Sequence, residues 1–452
     1  MISLMRRLPE PVKRLLRPVY YFLRRAWRRT RRWWRRTFGR QPGRSRMVRL
    51  YEGLVPGWLK LRLSPLILRS RQRRAARRRA ASTPEERWAE QRLALAGGRR
   101  LTDFAYFPGG IQNPYLRLLY SRLAEAGFDA RPLPGFPLLD AAAGDGAFHL
   151  HWTRVFQVGV GSPREARDQS DAHLRRVEGF VERGGQLLWS VHEVLPHDCP
   201  YPEVEIELRR RLVELASGVH VLHASTSAET AAHYPLDPAK TFVVEHPLYT
   251  NVYPDYVTRE AARRLLGVAD DEVVLLGFGA IRPYKGFDRL VEAVPRLRAE
   301  SGLPIRVMMA GPTYKSIDNA HLIDLVEATE GVSLVDAAVP DEYVQVLFRA
   351  ADVAVLPYRQ VLNSGVLMLA LTFGCPSVAP ENPVTVDTNP SGLVHLFEPA
   401  SDEDLHRAVL EAVARRGDRV VSPEYAARYD HVAIAGQFAR EIDARLRGKD
   451  SS

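Results

Sequence analysis

The feature that most constrains the fold is an alternation of short apolar runs with amphipathic helical stretches, which begins near residue 99 and continues to about residue 415. Runs such as AFHLHW (147–152) and GQLLWSVHEV (185–194) predict buried strands, and EVEIELRRRLVELA predicts a helix between two of them. Strands that alternate with helices in this way form parallel sheets. The alternation restarts after residue 262. The pattern therefore predicts an α/β fold with two Rossmann-like doubly wound domains that face a cleft.

The positive charge of the chain is concentrated at its N-terminal end. The net charge is +11, yet residues 1–80 hold 26 of the 64 Lys and Arg residues and only two acids, Glu10 and Glu52. In PVYYFLRRAWRRTRRWWRRTF, aromatic side chains interleave with arginine pairs, a composition that suits the headgroup layer of a bilayer. We predict that residues 1–98 form a basic helical extension and that residues 1–80 bind an anionic membrane surface.

Two other interpretations of this extension stay open: a basic arm without a fixed partner, and a segment that binds single-stranded nucleic acid. Nucleic acid is disfavoured, because the rest of the chain keeps 38 basic against 51 acidic residues from totals of 64 and 53, and this excess of negative charge repels a phosphate backbone. Cys199 and Cys375 give neither a disulfide framework nor a metal-binding spacing. No apolar run of spanning length or signal peptide is evident, so we expect a cytoplasmic protein bound peripherally to the inner face of the cell membrane.

Basic residues and glycines follow the strands of the second module, where parallel sheets bind ligands. Arg282, Lys285 and Gly286 come directly after the strand EVVLLGFGAI, and two cations beside a glycine turn suit a diphosphate. Ser364 and Gly365 begin the apolar helix GVLMLALT, whose free N–H groups suit the same anion. A solvated loop is the alternative for the two cations alone. Their convergence with a helix N-terminus favours diphosphate binding.

The segments GFGAIRPYKGFDRLVEAV, MMAGPT and AADVAVLPYRQVLNSGVLMLALTFGCPSVAP resemble the nucleotide-sugar domain of GT-B glycosyltransferases, close to the family-4 group. The resemblance covers most of residues 100–415. It implies that the Lys285-Gly286 loop and the start of the Ser364 helix hold the donor diphosphate, and that the MMAGPT turn flanks the nucleotide base. The residues predicted to bind the donor are Gly109, Gly110, Arg282, Lys285, Gly286, Gly311, Ser364, Gly365 and Val366.

The chain departs from the family pattern at three positions. Val361 and Leu369 occupy the places of two glutamates that in the family contact the sugar and the ribose, and Ala280 replaces the usual arginine, for which Arg282 could compensate. These departures leave open the donor sugar and the stereochemical outcome. The resemblance gives four predicted parts: the 1–98 extension, an acceptor-side domain (99–247), a nucleotide-sugar domain (248–415) and a C-terminal helix that returns to the first domain (416–452).

Histidines follow the strands of the first module. His192 ends the strand LLWSVHEV and corresponds, by the resemblance, to the family histidine that contacts the transferred sugar or the reaction centre. Glu193 and His197 are neighbours that could orient it or act as a base, so we predict His192 and Glu193 as catalytic residues. A structural role for His192 and core packing for Trp152 are the alternatives, and His246 could meet the donor or cap the linker. The predicted acceptor-side residues are Asn113, His151, Trp152 and His197.

Together these features predict a hexosyltransferase that moves a sugar from a GDP- or UDP-sugar to a lipid-linked or polysaccharide-precursor acceptor. No cofactor and no metal ion are expected, because no carboxylate cluster follows a strand and Arg, Lys and the helix dipole would stabilise the departing diphosphate. The alternative is a non-catalytic GT-B-like scaffold or partner subunit, favoured by the missing glutamates. A nucleotide-dependent oxidoreductase is disfavoured, because no GxGxxG follows the first strand.

Overall fold

The computed structural model describes residues 101–109, 114–142, 144–314, 318–389 and 392–447. All of them belong to the unit Pro65–Ser452. The predicted extension 1–98, with its membrane-binding residues 1–80, lies outside the described residues, as do Gly110 and Asn113.

The first sheet contains six parallel strands in the order β2-β1-β3-β4-β5-β6. Its order steps outward from β1 in both directions, as in a doubly wound fold. The strands are β1 (Thr102–Phe107), β2 (Phe128–Pro132), β3 (Ala147–Leu150), β4 (Gln186–Val191), β5 (Gly218–Val221) and β6 (Thr241–Val243).

The second sheet also contains six parallel strands, in the order β12-β11-β10-β7-β8-β9. The predicted α/β fold with two doubly wound domains is thereby confirmed. The strands are β7 (Val273–Phe278), β8 (Ile305–Ala310), β9 (Val332–Val335), β10 (Val353–Val355), β11 (Ser377–Pro380) and β12 (Val394–Phe397).

Helices connect the strands, and three short 3₁₀ turns (Phe136–Ala141, Thr153–Gln157 and Pro283–Lys285) supplement them. The helices are α1 (Tyr115–Leu119), α2 (Pro163–Glu182), α3 (Pro202–Leu215), α4 (Thr226–Thr230), α5 (Arg259–Leu266), α6 (Phe287–Ser301), α7 (Ala320–Ala328), α8 (Asp341–Ala350), α9 (Gly365–Thr372), α10 (Pro383–Asp387), α11 (Asp402–Ala414), α12 (Pro423–Arg428) and α13 (His431–Arg447). The apolar pattern of residues 113–128 predicts a longer first helix, but α1 ends at Leu119 and turns follow it. Among the described helices, none is both long and apolar enough to cross a membrane.

Continuous apolar runs form the central strands because helices cover both faces of each sheet. Five of the six residues of β7 are buried, and Leu275 packs in one core with Val291 of α6 and Val409 of α11. Side-chain caps fix where several helices begin. For example, the Ser162 hydroxyl accepts a hydrogen bond from the Glu165 N–H (3.2 Å), and Pro163 occupies the first turn.

The last helix, α13, packs against elements of the first sheet. Phe438 stacks on the His149 ring of β3 with centroids 5.7 Å apart, Gln186 Nε2 donates to the Leu446 carbonyl (3.0 Å), and the Arg447 guanidinium donates to the Gly127 carbonyl (3.3 Å). The C-terminal helix thus contacts the first domain, while the four predicted domain boundaries stay predictions.

Candidate functional site

The loop after β7 is shaped by glycine. Pro283–Lys285 form a 3₁₀ turn, and Gly286 then adopts a left-handed conformation with φ of 62°. A Cβ atom at Gly286 would lie 2.1 Å from the Pro357 carbonyl oxygen, so only glycine lets this loop pack against the loop after β10. The two loops, which carry the predicted phosphate ligands, therefore lie side by side at the carboxyl edge of the second sheet.

Lys285 lies at this edge as a buried amine, with 6% of its surface exposed. Its Nζ lies 3.4 Å from the Phe278 carbonyl and over the rings of Phe287 and Tyr358. No carboxylate of the described residues lies within ion-pair distance of it. Burial first, and then the positive charge of Arg282, lower the pKa of Lys285 to about 7. A buried ammonium group without an anion is costly, so an incoming anion would stabilise its charged form.

Arg282 connects the two domains. Its guanidinium forms an ion pair with Asp198, in the loop after β4, and lies 4.9 Å from the ring centroid of Tyr314. Beside this ion pair, His197 stacks on Tyr284 with centroids 3.7 Å apart and planes 10° from parallel. The carboxyl edges of the two sheets thus face each other, and Arg282 shares its charge with an acid of the first domain.

Helix α9 begins at the same edge. Ser364 is its N-cap, and the hydroxyl accepts a hydrogen bond from the Leu367 N–H (3.2 Å). The N–H groups of Gly365 and Val366 come too early in the helix to find a helical acceptor. Just before the cap, Asn363 Nδ2 donates to the His192 carbonyl (3.2 Å). The helix N-terminus therefore lies next to the predicted catalytic histidine.

His192 is enclosed by aromatic rings. Trp152 stacks on it with centroids 4.3 Å apart and planes 15° from parallel, and Tyr115 meets it edge to face at 5.7 Å. Its Nε2 lies 2.8 Å from His151 Nδ1. Burial, followed by the nearby His220, His246 and Arg209, holds the pKa of His192 well below its usual value. The imidazole is therefore neutral at physiological pH.

Glu193 is a second titratable group beside His192. Burial raises the pKa of its carboxyl group to about 7, although Arg209 opposes this shift. Its Oε2 lies 3.9 Å from Nε2 of His197, whose own pKa is lowered to about 4 mainly by burial. Arg209 also donates to the Glu193 and Val194 carbonyls (2.6 and 2.8 Å). Arg209 thus holds the loop after β4 in place. The Glu193 carboxyl group on this loop can exchange protons near neutral pH.

Each predicted site residue that the structure describes either follows a strand at one of the two facing edges or begins α9. Gly311 follows β8 and packs on Gly279, where a Cβ atom would lie 1.8 Å from the Gly279 carbonyl oxygen. Gly109 packs against Pro132. Leu369, which occupies a family glutamate position, is 4% exposed and belongs to the buried face of α9. His246 stacks on Tyr115 with centroids 4.7 Å apart.

Sequence reasoning missed three residues that belong to one hydrogen-bonded network with His149 and His151: Tyr120, Ser190 and His220. Side chains two positions apart on a strand share a face. His149 and Leu188 are register partners, so Ser190, two residues after Leu188, lies on the same face as His149. This spacing could have identified Ser190 and, through its pairing with β5, His220. Tyr120 has no such signal, because it lies in the turn after α1. Within the described ranges, no group of three or more His, Cys, Asp or Glu side chains could hold a metal ion; metal independence stays a prediction.

Comparison with known proteins gives matches to sugar-transferring enzymes. Residues 272–415 match the family model described as glycosyl transferases group 1. The GDP-mannose:glycolipid 4-beta-D-mannosyltransferase of Xanthomonas campestris pv. campestris is 27% identical over 350 residues, which cover 76% of this chain and 91% of that protein. The D-inositol 3-phosphate glycosyltransferase of Geodermatophilus obscurus is 33% identical over 193 residues, 40% of this chain; the chain spans only 42% of that relative's length.

Two solved structures support the fold. The Anabaena protein HepE in complex with UDP and glucose superposes with a TM-score of 0.57 at 14% identity, over 76% of this chain and all of the HepE chain. Sucrose-phosphate synthase from Thermosynechococcus elongatus gives 0.58 at 17% identity, over 76% of this chain and 99% of the other. The predicted GT-B fold is confirmed, and the relatives support the predicted enzyme class.

Proposed function

We propose that the protein transfers a sugar from a nucleoside diphosphate sugar to a lipid-linked or polysaccharide-precursor acceptor. The match of residues 272–415 to the glycosyl transferases group 1 model supports this proposal. The donor nucleotide is UDP or GDP. In this proposal residues 248–415 bind the donor, residues 99–247 face the acceptor, and residues 416–452 help to close the cleft between them.

One observation carries the donor site: Lys285 is a buried amine, and no carboxylate of the described residues lies within ion-pair distance of it. It is on the loop that lies beside the loop leading to α9. A diphosphate would supply the missing negative charge to Lys285 and accept hydrogen bonds from the Gly365 and Val366 amides. Arg282 would add a second cation from the same loop once its ion pair with Asp198 loosens. These groups together would stabilise the charge on the departing nucleoside diphosphate without a metal ion.

The proposal that residues 99–247 face the acceptor is supported by other observations. Trp152 and His192 form a stacked aromatic wall beside the start of α9, and aromatic faces suit the apolar side of a sugar ring. The relative from Xanthomonas campestris pv. campestris is named for a glycolipid acceptor. The basic, aromatic-rich residues 1–80 would bring the first domain to an anionic membrane surface, where a lipid-linked acceptor is found.

Activity measurements test this proposal. Purified full-length protein is incubated with UDP-, GDP- and ADP-sugars, and sugar release or transfer to a lipid extract is measured. We expect turnover with a UDP- or GDP-sugar and a loss of at least about tenfold in kcat/KM for Lys285→Ala. Lys240→Ala is the matched control, because Lys240 precedes β6 at the opposite edge of its sheet. Equal activity of both variants would overturn the phosphate assignment.

A non-catalytic scaffold is the second candidate, and the apolar residues Val361 and Leu369 at the two glutamate positions favour it. A scaffold would bind a nucleoside diphosphate sugar with dependence on Lys285 but release no product from any donor. The same set of measurements therefore separates the two candidates.

A further inference from the structure

A continuous chain of hydrogen-bonded side chains runs through the first domain and ends at His192. We name it the histidine chain; its members are His220, Ser190, His149, Tyr120, His151 and His192. We propose that the histidine chain fixes His192 as the tautomer protonated on Nε2, so that Nδ1 is the nitrogen that accepts a hydrogen bond from a hydroxyl group of the bound sugar substrate. The inference rests on the proposed function for the identity of that substrate.

The first step is that the histidine chain is buried from solvent and its side chains are uncharged. None of its five inner members is more than 2% exposed. Burial lowers the pKa of His149, His151 and His220, the last to about 4, and raises the pKa of Tyr120. Each imidazole therefore carries one proton, and each ring has one donor nitrogen and one acceptor nitrogen.

The second step is that the Val244 carbonyl sets the direction of the chain. His220 Nε2 lies 2.9 Å from this backbone oxygen. A carbonyl oxygen can only accept, so the proton of His220 must be on Nε2 and its Nδ1 must be an acceptor. Ser190 Oγ lies 2.7 Å from that Nδ1 and therefore donates its single proton to it.

The third step carries this direction through the middle of the chain. Because the Ser190 proton is already used, Ser190 Oγ accepts from His149 Nε2 (2.9 Å). His149 then has its lone pair on Nδ1, to which the Tyr120 hydroxyl donates (2.9 Å). The Tyr120 oxygen in turn accepts from His151 Nε2. Each group thus has its role determined by the previous one.

The fourth step reaches the cleft. His151 is left with an acceptor Nδ1, and His192 Nε2 lies 2.8 Å from it, so His192 donates. The lone pair of His192 is then on Nδ1, which has no hydrogen-bond partner within the described part of the chain and is not among its fully buried unpaired atoms. Trp152 stacked on the ring and Asn363 bonded to the His192 carbonyl hold the ring beside the start of α9.

The opposite direction is excluded by chemistry, not by distance. If His192 carried its proton on Nδ1, its Nε2 would accept from His151, and the reversal would continue to His220. His220 Nε2 and the Val244 oxygen would then be two acceptors 2.9 Å apart. Phe438 of α13 covers His149 and His220, so water does not replace the lost donor. Tyr120, Ser190 and His220 are therefore positioning residues for His192.

Nitrogen-15 solid-state NMR tests the proposal, because protonated and unprotonated imidazole nitrogens resonate far apart. The full-length protein is labelled at the ring nitrogens of its 13 histidines, and the signals that disappear in His192→Gln are assigned to His192. At about pH 8 we expect one neutral tautomer of His192, with the proton on Nε2. A proton on Nδ1, or a mixture of tautomers in the wild-type protein, would overturn the proposal.

Two variants interrupt the chain at different points, Tyr120→Phe and Ser190→Ala, so failure of one to fold leaves the other. Each removes the link to Val244, and we expect the second tautomer of His192 to appear, with kcat lowered about tenfold and KM within about twofold. Thr226→Val is the matched control, since it removes a buried hydroxyl group that has no hydrogen-bond partner within the described ranges and is not part of the chain. An unchanged tautomer in both chain variants would refute the proposal.

The NMR result is obtained without substrate, and it therefore separates failure of this inference from failure of the proposed function. A fixed Nε2–H tautomer in a protein that turns over no nucleotide sugar would contradict the proposed function but would support the proposed role of the histidine chain. Turnover of a nucleotide sugar by a protein with a mixture of His192 tautomers would support the proposed function and contradict the proposed role of the histidine chain.

Discussion

At the scale of single residues, the site contains two groups whose pKa is shifted by burial. Lys285 has a pKa lowered to about 7 and Glu193 a pKa raised to about 7, each chiefly because burial disfavours the charged form. Such shifts concentrate where a protein binds or transforms a charged ligand. The ligand that best fits a half-buried helix N-terminus beside a buried amine is an anion.

The lowered pKa of Lys285 predicts that donor binding takes up a proton. At about pH 8 the free amine is largely neutral, and a bound diphosphate raises its pKa and draws a proton from the buffer; at about pH 6 the amine is already charged, so the uptake fades. Calorimetric titration of UDP or GDP in buffers of different ionisation enthalpy measures this uptake. Lys285→Ala should abolish the rise between the two pH values. A rise of the same size in that variant would show that another group takes up the proton.

At the scale of elements, the site residues lie directly after strands or at the first turn of a helix. The sequence predicted that residues following the strands, such as His151 and His192, belong to the site. Ser190 was missed, although residues two positions apart on a strand share one face and Ser190 therefore lies on the same face as His192. The sequence could not predict Tyr120 as a partner of His151, because that contact depends on how the turn after α1 packs on the sheet. It also could not predict that Asp198 pairs with Arg282, a contact between two domains.

Substitutions of Ser364 can separate two effects of the start of α9: its contribution to stability as a capped helix and its predicted contribution to diphosphate binding. Ser364→Asp keeps a good N-cap and adds a negative charge that the helix dipole favours, so the free energy of unfolding should be unchanged or higher. The same charge repels a diphosphate, so nucleoside diphosphate affinity should fall at least about tenfold. Urea unfolding and calorimetric titration measure the two effects.

Ser364→Ala provides the matched comparison for α9, with a stability loss of about 1 kcal/mol and a smaller loss of affinity. Affinity that follows stability in both variants would mean that the start of α9 contributes only to folding.

At the scale of the whole molecule, two parallel sheets present their carboxyl edges to each other. This architecture followed from the sequence because alternating strands and helices permit few other folds. Facing contacts between the domains, Arg282 with Asp198 and His197 with Tyr284, involve residues that lie far apart in the sequence, so no local pattern predicts them. The last helix returns to the first domain and covers the histidine chain through Phe438. The packing of α13 therefore sets the surroundings of His149 and His220.

The measurement that tests the central claim most directly compares nucleoside diphosphates with nucleoside monophosphates. If Lys285 and the start of α9 bind the diphosphate, UDP or GDP should bind the wild-type protein at least about tenfold more tightly than UMP or GMP. This preference should disappear in Lys285→Ala and persist in Lys240→Ala, as measured by calorimetric titration. Equal affinity for diphosphate and monophosphate in the wild-type protein, or a preference that survives Lys285→Ala, would contradict the account.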